Sequence, residues 1–194
     1  VTATYVYGLT ATPVRKDGHQ PIIFMQCGKI RFTADAKSQM ENQTFKRLLI
    51  PRFTSFRNIS SDSKTYVQVT QDLSEDKVRN EFIVEDVRIA IQEGRTPLVL
   101  TTRTAHVKAL AHMLIPFADH VIQFIGTDSA KEKRLALQNL QSMPTSESLV
   151  IVATGKYVGE GFDYPRLDTL FLTMPIAWKG NVEQYAGRLH REYA

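Results

Sequence analysis

Residues 95–116 read RTPLVLTTRTAHVKALAHMLIP. Pro97 opens the apolar run Leu98, Val99, Leu100, the uninterrupted pattern of a strand buried on both faces. Val107, Leu110, Ala111 and Leu114 then recur at i, i+3, i+4 and i+7, which is one apolar stripe of a helix. Pro116 ends it. A strand that passes directly into a helix is half of a βαβ unit, and the pattern repeats downstream. Val121, Ile122, Phe124 and Ile125 predict a second strand closed by Gly126. Asp128 or Ser129 can cap a helix carrying Ala136, Leu137, Leu140 and Met143, which Pro144 and the polar run 145–148 break. Residues 149–152 and 170–172 predict two more strands, with a last helix from about Val182. Alternation with short connections means a parallel sheet and an α/β fold.

Upstream, residues 75–93 predict a helix with apolar residues on two sides: Val78, Phe82 and Ile89 on one, Ile83, Val87 and Ile91 on the other. Residues 5–9 read as a strand that stops at Thr10-Ala-Thr-Pro13. Residues 16–18 signal a turn, and residues 22–25 are a short apolar run. Residues 34–47 are polar, Leu48, Leu49, Ile50, Phe53 and Phe56 could supply a strand, and residues 60–64 read as loop. About 50 residues are too few to bury a core of their own. No internal repeat or low-complexity tract is present.

The 194 residues suit one ordinary domain or pieces of two. Hydrophobic residues at 43% and charged residues at 23% exclude disorder of the whole chain. A net charge of +4 permits a nucleic-acid or phosphate partner without requiring one. The single cysteine, Cys27, allows no intrachain disulfide and points to a reducing compartment, so a cytoplasmic location is expected. No apolar run approaches the roughly 18 residues needed to cross a bilayer, so no membrane partner is expected. The first residue, Val1, lies in a strand-like stretch, which suggests a piece of a longer protein.

Two segments carry chemistry. At about 100° per residue, Val182, Tyr185, Ala186, Leu189 and Tyr193 share one helical face, and Gln184, Gly187, Arg188 and Arg191 share the opposite one. Two planar, permanently charged guanidinium groups beside an open glycine could clamp a polyphosphate. Read alone, the same stripe is also a solvated surface face. The second segment is ATGKYVGEGFD at 153–163, directly after a predicted strand. Ligands of open α/β sheets bind at the carboxyl ends of strands. Thr154 and the N–H of Gly155 could hold a phosphate at a helix start, Gly159 and Gly161 would permit tight turns, and Asp163 could accept from a hydroxyl. A plain turn with a capping glycine fits this segment as well. Thr10 and Thr12 at one strand end, and Thr102 and Arg103 at another, are weaker signals of the same kind.

Several familiar sites are excluded. Gly155-Lys156 is no P-loop, because Val150 stands where its first glycine belongs. Gly159-Glu-Gly161 is no dinucleotide fingerprint, because Tyr164 occupies the third glycine position, which disfavours a Rossmann-type enzyme. His19, His106, His112, His120 and His190 show no metal-binding spacing, so no metal ligand is assigned. His106 and His112 read as surface positions on a helix, and Cys27 as a structural thiol.

Taken in order, these segments resemble superfamily 2 helicases and translocases of the DEAD/DEAH-like, type III restriction-subunit group. GLTATP at 8–13 looks like motif III, residues 98–103 like motif IV, and residues 124–128 like the short segment after it. Residues 151–163 look like motif V, and QYAGRLHR at 184–191 like motif VI, Gln-x-x-Gly-Arg-x-x-Arg. The resemblance implies a parallel-sheet, RecA-like (P-loop NTPase-like) C-terminal lobe with a remnant of the first lobe. Residues 1–50 would be the tail of lobe one, 51–75 a connection, and 76–194 the second lobe, cut after motif VI.

In that family ATP and Mg²⁺ bind between two lobes, and the resemblance places the main phosphate loop and the acidic magnesium motif in the missing first lobe. Arg188 and Arg191 would be arginine fingers, with Gln184 beside the γ-phosphate. Gly159, Gly161, Asp163 and Gly187 would line the nucleotide. Thr102, Arg103, Gly126, Thr154 and Gly155 would meet the backbone of a nucleic-acid strand, DNA favoured over RNA. Thr10 and Thr12 would couple hydrolysis to lobe movement. The chain alone is expected not to hydrolyse ATP. The rival reading is a non-catalytic RecA-like module that binds nucleic acid or protein.

Overall fold

The computed structural model describes residues 4–10, 20–33, 48–57, 64–126, 129–159, 162, 164–176, 182, 185–187 and 189, with the backbone alone for Gln20, Ala130, Lys133, Lys156 and Gly159. The chain divides into two compact units, Val1–Phe53 and Thr54–Ala194.

In the first unit the apolar run at 22–25 lies inside a helix, α1 (Gln20–Cys27), closed by Gly28 at φ 78°. A side chain at Gly8 would meet Cys27 Sγ at 3.1 Å, so the segment before it runs close against α1. The strands expected at 5–9 and from 48 to 56 are not formed. A strand needs a neighbour for its N–H and C=O groups, and no partner strand occurs among the described residues of this unit. Their apolar side chains lie exposed: Leu9 98%, Leu49 93% and Phe53 90%.

The second unit begins with α2 (Tyr66–Glu75), which the sequence reading missed, and α3 (Lys77–Gln92). Thr65 and Gln68 form a reciprocal capping box at the start of α2. Asp76 then ends α2 and caps α3 by accepting from the Arg79 N–H at 2.9 Å. Of the two apolar stripes expected on α3, the one with Ile83, Val87 and Ile91 is buried, while Val78 and Ile89 face outward.

Four parallel strands follow among the described residues: β1 (Pro97–Thr101), β2 (His120–Phe124), β3 (Leu149–Thr154) and β4 (Thr169–Leu172), in spatial order β2-β3-β1-β4. Leu98 pairs with Ile151 and Leu170, and Ile122 with Ile151. The central strands β1 and β3 are buried at every position, as their unbroken apolar runs require. Helix α4 (Thr104–Leu114) follows β1 and ends in a 3₁₀ turn at Pro116; α5 (Ala130–Gln141) follows β2, capped by Ser129 and Glu132. A single turn, α6 (Gly155–Gly159), follows β3.

Alternation along the strands makes two cores. Val99, Val150 and Val152 face Ile83, Val87, Val107, Leu110 and Leu114 of α3 and α4. Leu98, Leu100, Leu149 and Ile151 face the opposite layer, with Leu140, Phe162, Leu167 and Tyr185. The result is a parallel sheet covered by helices on both faces. No helix among the described residues is long and apolar enough to cross a membrane.

Candidate functional site

The carboxyl ends of β1, β2 and β3 lie side by side, because Thr101 is in register with Thr154 and Phe124 with Ala153. This is the edge at which open α/β sheets bind ligands. It gathers several of the expected residues. The Gly126 N–H donates to Thr154 Oγ1 at 3.0 Å, so the end of β2 is fastened to the end of β3. Thr154 is buried, and Gly155 starts α6. Thr102 is exposed just past β1. Arg103 is half-buried, and its Nη1 donates to the Val67 carbonyl of α2 at 3.4 Å.

Behind the edge stands an aromatic cluster. Phe124 at the end of β2 stacks on Tyr157 of α6, centroids 4.4 Å apart and planes 12° from parallel. Phe162 packs against both rings, at 5.3 and 5.8 Å. Such pairs stabilise by about 1 kcal/mol each beyond their buried area. They hold the loop after β3 on the sheet. Tyr185 closes the same cluster with its hydroxyl pressed on Gly155: a Cβ at that glycine would overlap the Tyr185 hydroxyl and lie 3.0 Å from Cζ. Burial of the ring pushes the Tyr185 phenol pKa up.

Other expected site residues are less connected. Gly159 ends α6. Gly187 is exposed, with open space where a Cβ would stand. Thr10 is exposed in the first unit. Thr12, Gly161, Asp163, Gln184, Arg188 and Arg191 lie outside the described residues, as does Asp128.

One expectation is overturned. His112 is exposed as expected, but His106 is 1% exposed and lies at the centre of a buried polar chain. Asn80 Nδ2 donates to the Ser74 carbonyl at 2.9 Å, which leaves its Oδ1 to accept from His106 Nε2–H at 2.9 Å. His106 Nδ1 then accepts from the Thr101 hydroxyl at 2.7 Å. Burial, and secondarily the Arg79 guanidinium, lower the His106 pKa to about 4. The ring is therefore neutral at pH 7, with both nitrogens engaged in tying α3 and α4 to the end of β1. The sequence signal was available: His106 is four residues before Leu110 and adjoins Val107, on the edge of the buried stripe.

Arg79 is the companion tie. It donates to the Leu73 carbonyl at 3.3 Å and to the Thr173 carbonyl just after β4, and Tyr66 Oη donates to the Pro175 carbonyl at 3.2 Å. Beside these groups Lys77, Glu81, Arg103 and Met113 line an open cleft of about 500 Å³. Among the described residues no group of His, Cys, Asp and Glu is placed to hold a metal ion. Among the described residues the edge thus carries a helix-start N–H, hydroxyls and an arginine, which suit phosphate oxygens, and no acid–base pair.

This fold, a parallel sheet with helices on both faces and small-residue loops at its carboxyl edge, is a RecA-like α/β fold. T4 UvsW matches with a TM-score of 0.54 at 18% identity, over 66% of this chain and 26% of that one. The C-terminal part of the Fun30 ATPase domain matches with a TM-score of 0.53 at 12% identity, over 61% and 38%. In sequence the chain is similar to transcript termination protein A18 of Myxoma virus (strain Lausanne), 29% identical over 138 residues. The A18 protein of Fowlpox virus (strain NVSL) is 26% identical over 136 residues. These matches cover 69% and 67% of the chain, which spans 28% of the length of each relative. No protein-family profile matches.

Proposed function

We propose that the chain is the C-terminal portion of an ATP-dependent nucleic-acid helicase or translocase. The observation that carries the reading is the edge itself. Segments resembling motifs IV and V end on the adjacent strands β1 and β3, the end of β2 is fastened to β3 by the Gly126–Thr154 hydrogen bond, and the segment resembling motif VI packs Tyr185 against the motif V segment. Thr102, Arg103, Gly126, Thr154 and Gly155 meet the sugar–phosphate backbone of one strand, DNA favoured over RNA. Contacts of that kind give affinity and salt dependence with little sequence reading. Arg188 and Arg191 stabilise charge developing on the transferring γ-phosphoryl group, with Gln184 beside it. Gly159, Gly161, Asp163 and Gly187 line the nucleotide, and Thr10 and Thr12 couple hydrolysis to movement. The chain's own sequence holds no P-loop, so ATP and Mg²⁺ are held chiefly by a first lobe in the rest of the parent protein. The exposed apolar residues of the first unit fit a remnant of that lobe. The A18 relatives are named for transcript termination, a task performed on nucleic acid.

The test is ATP hydrolysis by the full-length parent, with and without single- and double-stranded DNA and RNA. Stimulation by one of these is expected and names the track. Arg188→Ala and Arg191→Ala should each raise the barrier to hydrolysis by about 3 kcal/mol while sparing nucleic-acid binding. An unchanged kcat in both variants removes the finger assignment. A folded parent inactive on every track favours the non-catalytic binding module.

A further inference from the structure

Glycine at 155 has no backbone reason to be there. Among the described residues, left-handed φ occurs only at Gly28 and Gly94, so the Gly155 backbone suits any L residue. What excludes a side chain is the Tyr185 hydroxyl, which lies where the Cβ would be. Tyr185 itself has little room to yield, because its ring is buried in the cluster with Tyr157, Val158 and Phe162.

We infer that the Tyr185 hydroxyl, seated on the open backbone of Gly155, fixes the pose of the helical turn at residues 185–187, making Gly155 and Tyr185 positioning residues that link the loop after β3 to that turn. This deepens the proposed function and rests on it. Gln184 precedes Tyr185 directly in the chain and Arg188 follows by three residues, so a displacement of Tyr185 is passed to both along the covalent backbone. The same Gly155 adjoins Thr154, whose hydroxyl holds Gly126 at the end of β2. A shift of this loop, such as a bound backbone phosphate would impose, therefore reaches Tyr185 through rigid contact. Gly155 acts here by being small, whereas a phosphate contact through its N–H would tolerate alanine.

The experiment is a rescue cycle in the full-length parent with Gly155→Ala, Tyr185→Phe and the double variant. In Gly155→Ala the turn is displaced, and kcat for nucleic-acid-stimulated ATP hydrolysis falls at least about tenfold with KM for ATP little changed. Removing the hydroxyl leaves Cζ at 3.0 Å as the nearest ring atom, a gap that a few tenths of an ångström of relaxation opens. The double variant therefore recovers most of the lost kcat. Hydrogen exchange over residues 185–187 reads the seat without ATP: protection falls in Gly155→Ala and returns in the double variant. If Gly155→Ala fails to fold, restored folding in the double variant supports the same steric seat. A Gly155→Ala parent with wild-type kcat and protection overturns the inference, as does a double variant as impaired as the single one. A wild-type parent without ATPase activity removes the proposed function and the positioning role with it, while the exchange data still decide whether the seat exists.

Discussion

His106 makes the second unit sensitive to acid through one side chain. Its pKa is about 4 in the folded protein, set first by burial and then by Arg79, against 6.5 in an unfolded chain. The folded state thus binds a proton less readily than the unfolded state. The stability contributed by the neutral ring is complete above about pH 6.5 and is lost as pH falls towards 4. At about 1.4 kcal/mol per pH unit across that window, the loss by pH 4.5 is roughly 2–3 kcal/mol. His106→Gln lacks this titration, although it also disturbs the bonds to Asn80 and Thr101. Urea unfolding of both proteins at pH 7 and pH 4.5 should show the gap between them narrowing by about that amount. Parallel losses in the two proteins remove His106 as the source.

At the scale of elements, the ties around Arg79 show what the sequence disclosed and what it hid. The strands were legible because an unbroken run such as Leu98, Val99, Leu100 or the Val150, Ile151, Val152 series has few other stable placements. Helix α2 was missed because it buries only Thr70, Leu73 and Ser74, too few apolar positions for a periodic signal. Its start was nonetheless written in Thr65 and Gln68, a capping box readable without any stripe. The part of the site made by strand ends was legible for the same reason as the strands. The His106 chain was not, because a histidine on the edge of an apolar stripe satisfies its nitrogens only through Asn80 and Thr101, 26 and 5 residues away. Arg79 likewise binds a carbonyl 94 residues on. Arg79→Met keeps much of the apolar stem and abandons the Leu73 and Thr173 carbonyls. Hydrogen bonds from a charged donor contribute about 1.5–3 kcal/mol, so the variant should unfold about 2 kcal/mol more easily. Hydrogen exchange should rise at residues 173–176 before it rises in β1 and β3. A change under about 0.5 kcal/mol means the guanidinium was as well solvated as it was bonded.

Across the whole molecule, burial is distributed unevenly. Every buried side chain among the described residues, from Thr70 to Tyr185, belongs to the second unit, and both cores are built there. Both central strands, β1 and β3, and every helix packed on them are likewise in that unit. A unit that holds its own cores should fold without the residues before it, whereas the first unit exposes Leu9, Leu49 and Phe53 and holds no buried described residue. Residues 54–194 expressed alone should therefore unfold in one cooperative transition, with stability within about 1 kcal/mol of the 194-residue chain. Residues 1–53 alone should show no cooperative transition and little amide protection. The comparison needs only urea melts and hydrogen exchange of the three chains. If the isolated second unit melts broadly or loses several kcal/mol, the first unit stabilises it directly, and the boundary at Phe53 and Thr54 is no boundary of folding. If residues 1–53 fold cooperatively by themselves, the exposed apolar residues are the surface of a finished domain, and the reading of that unit as a remnant of a larger lobe falls.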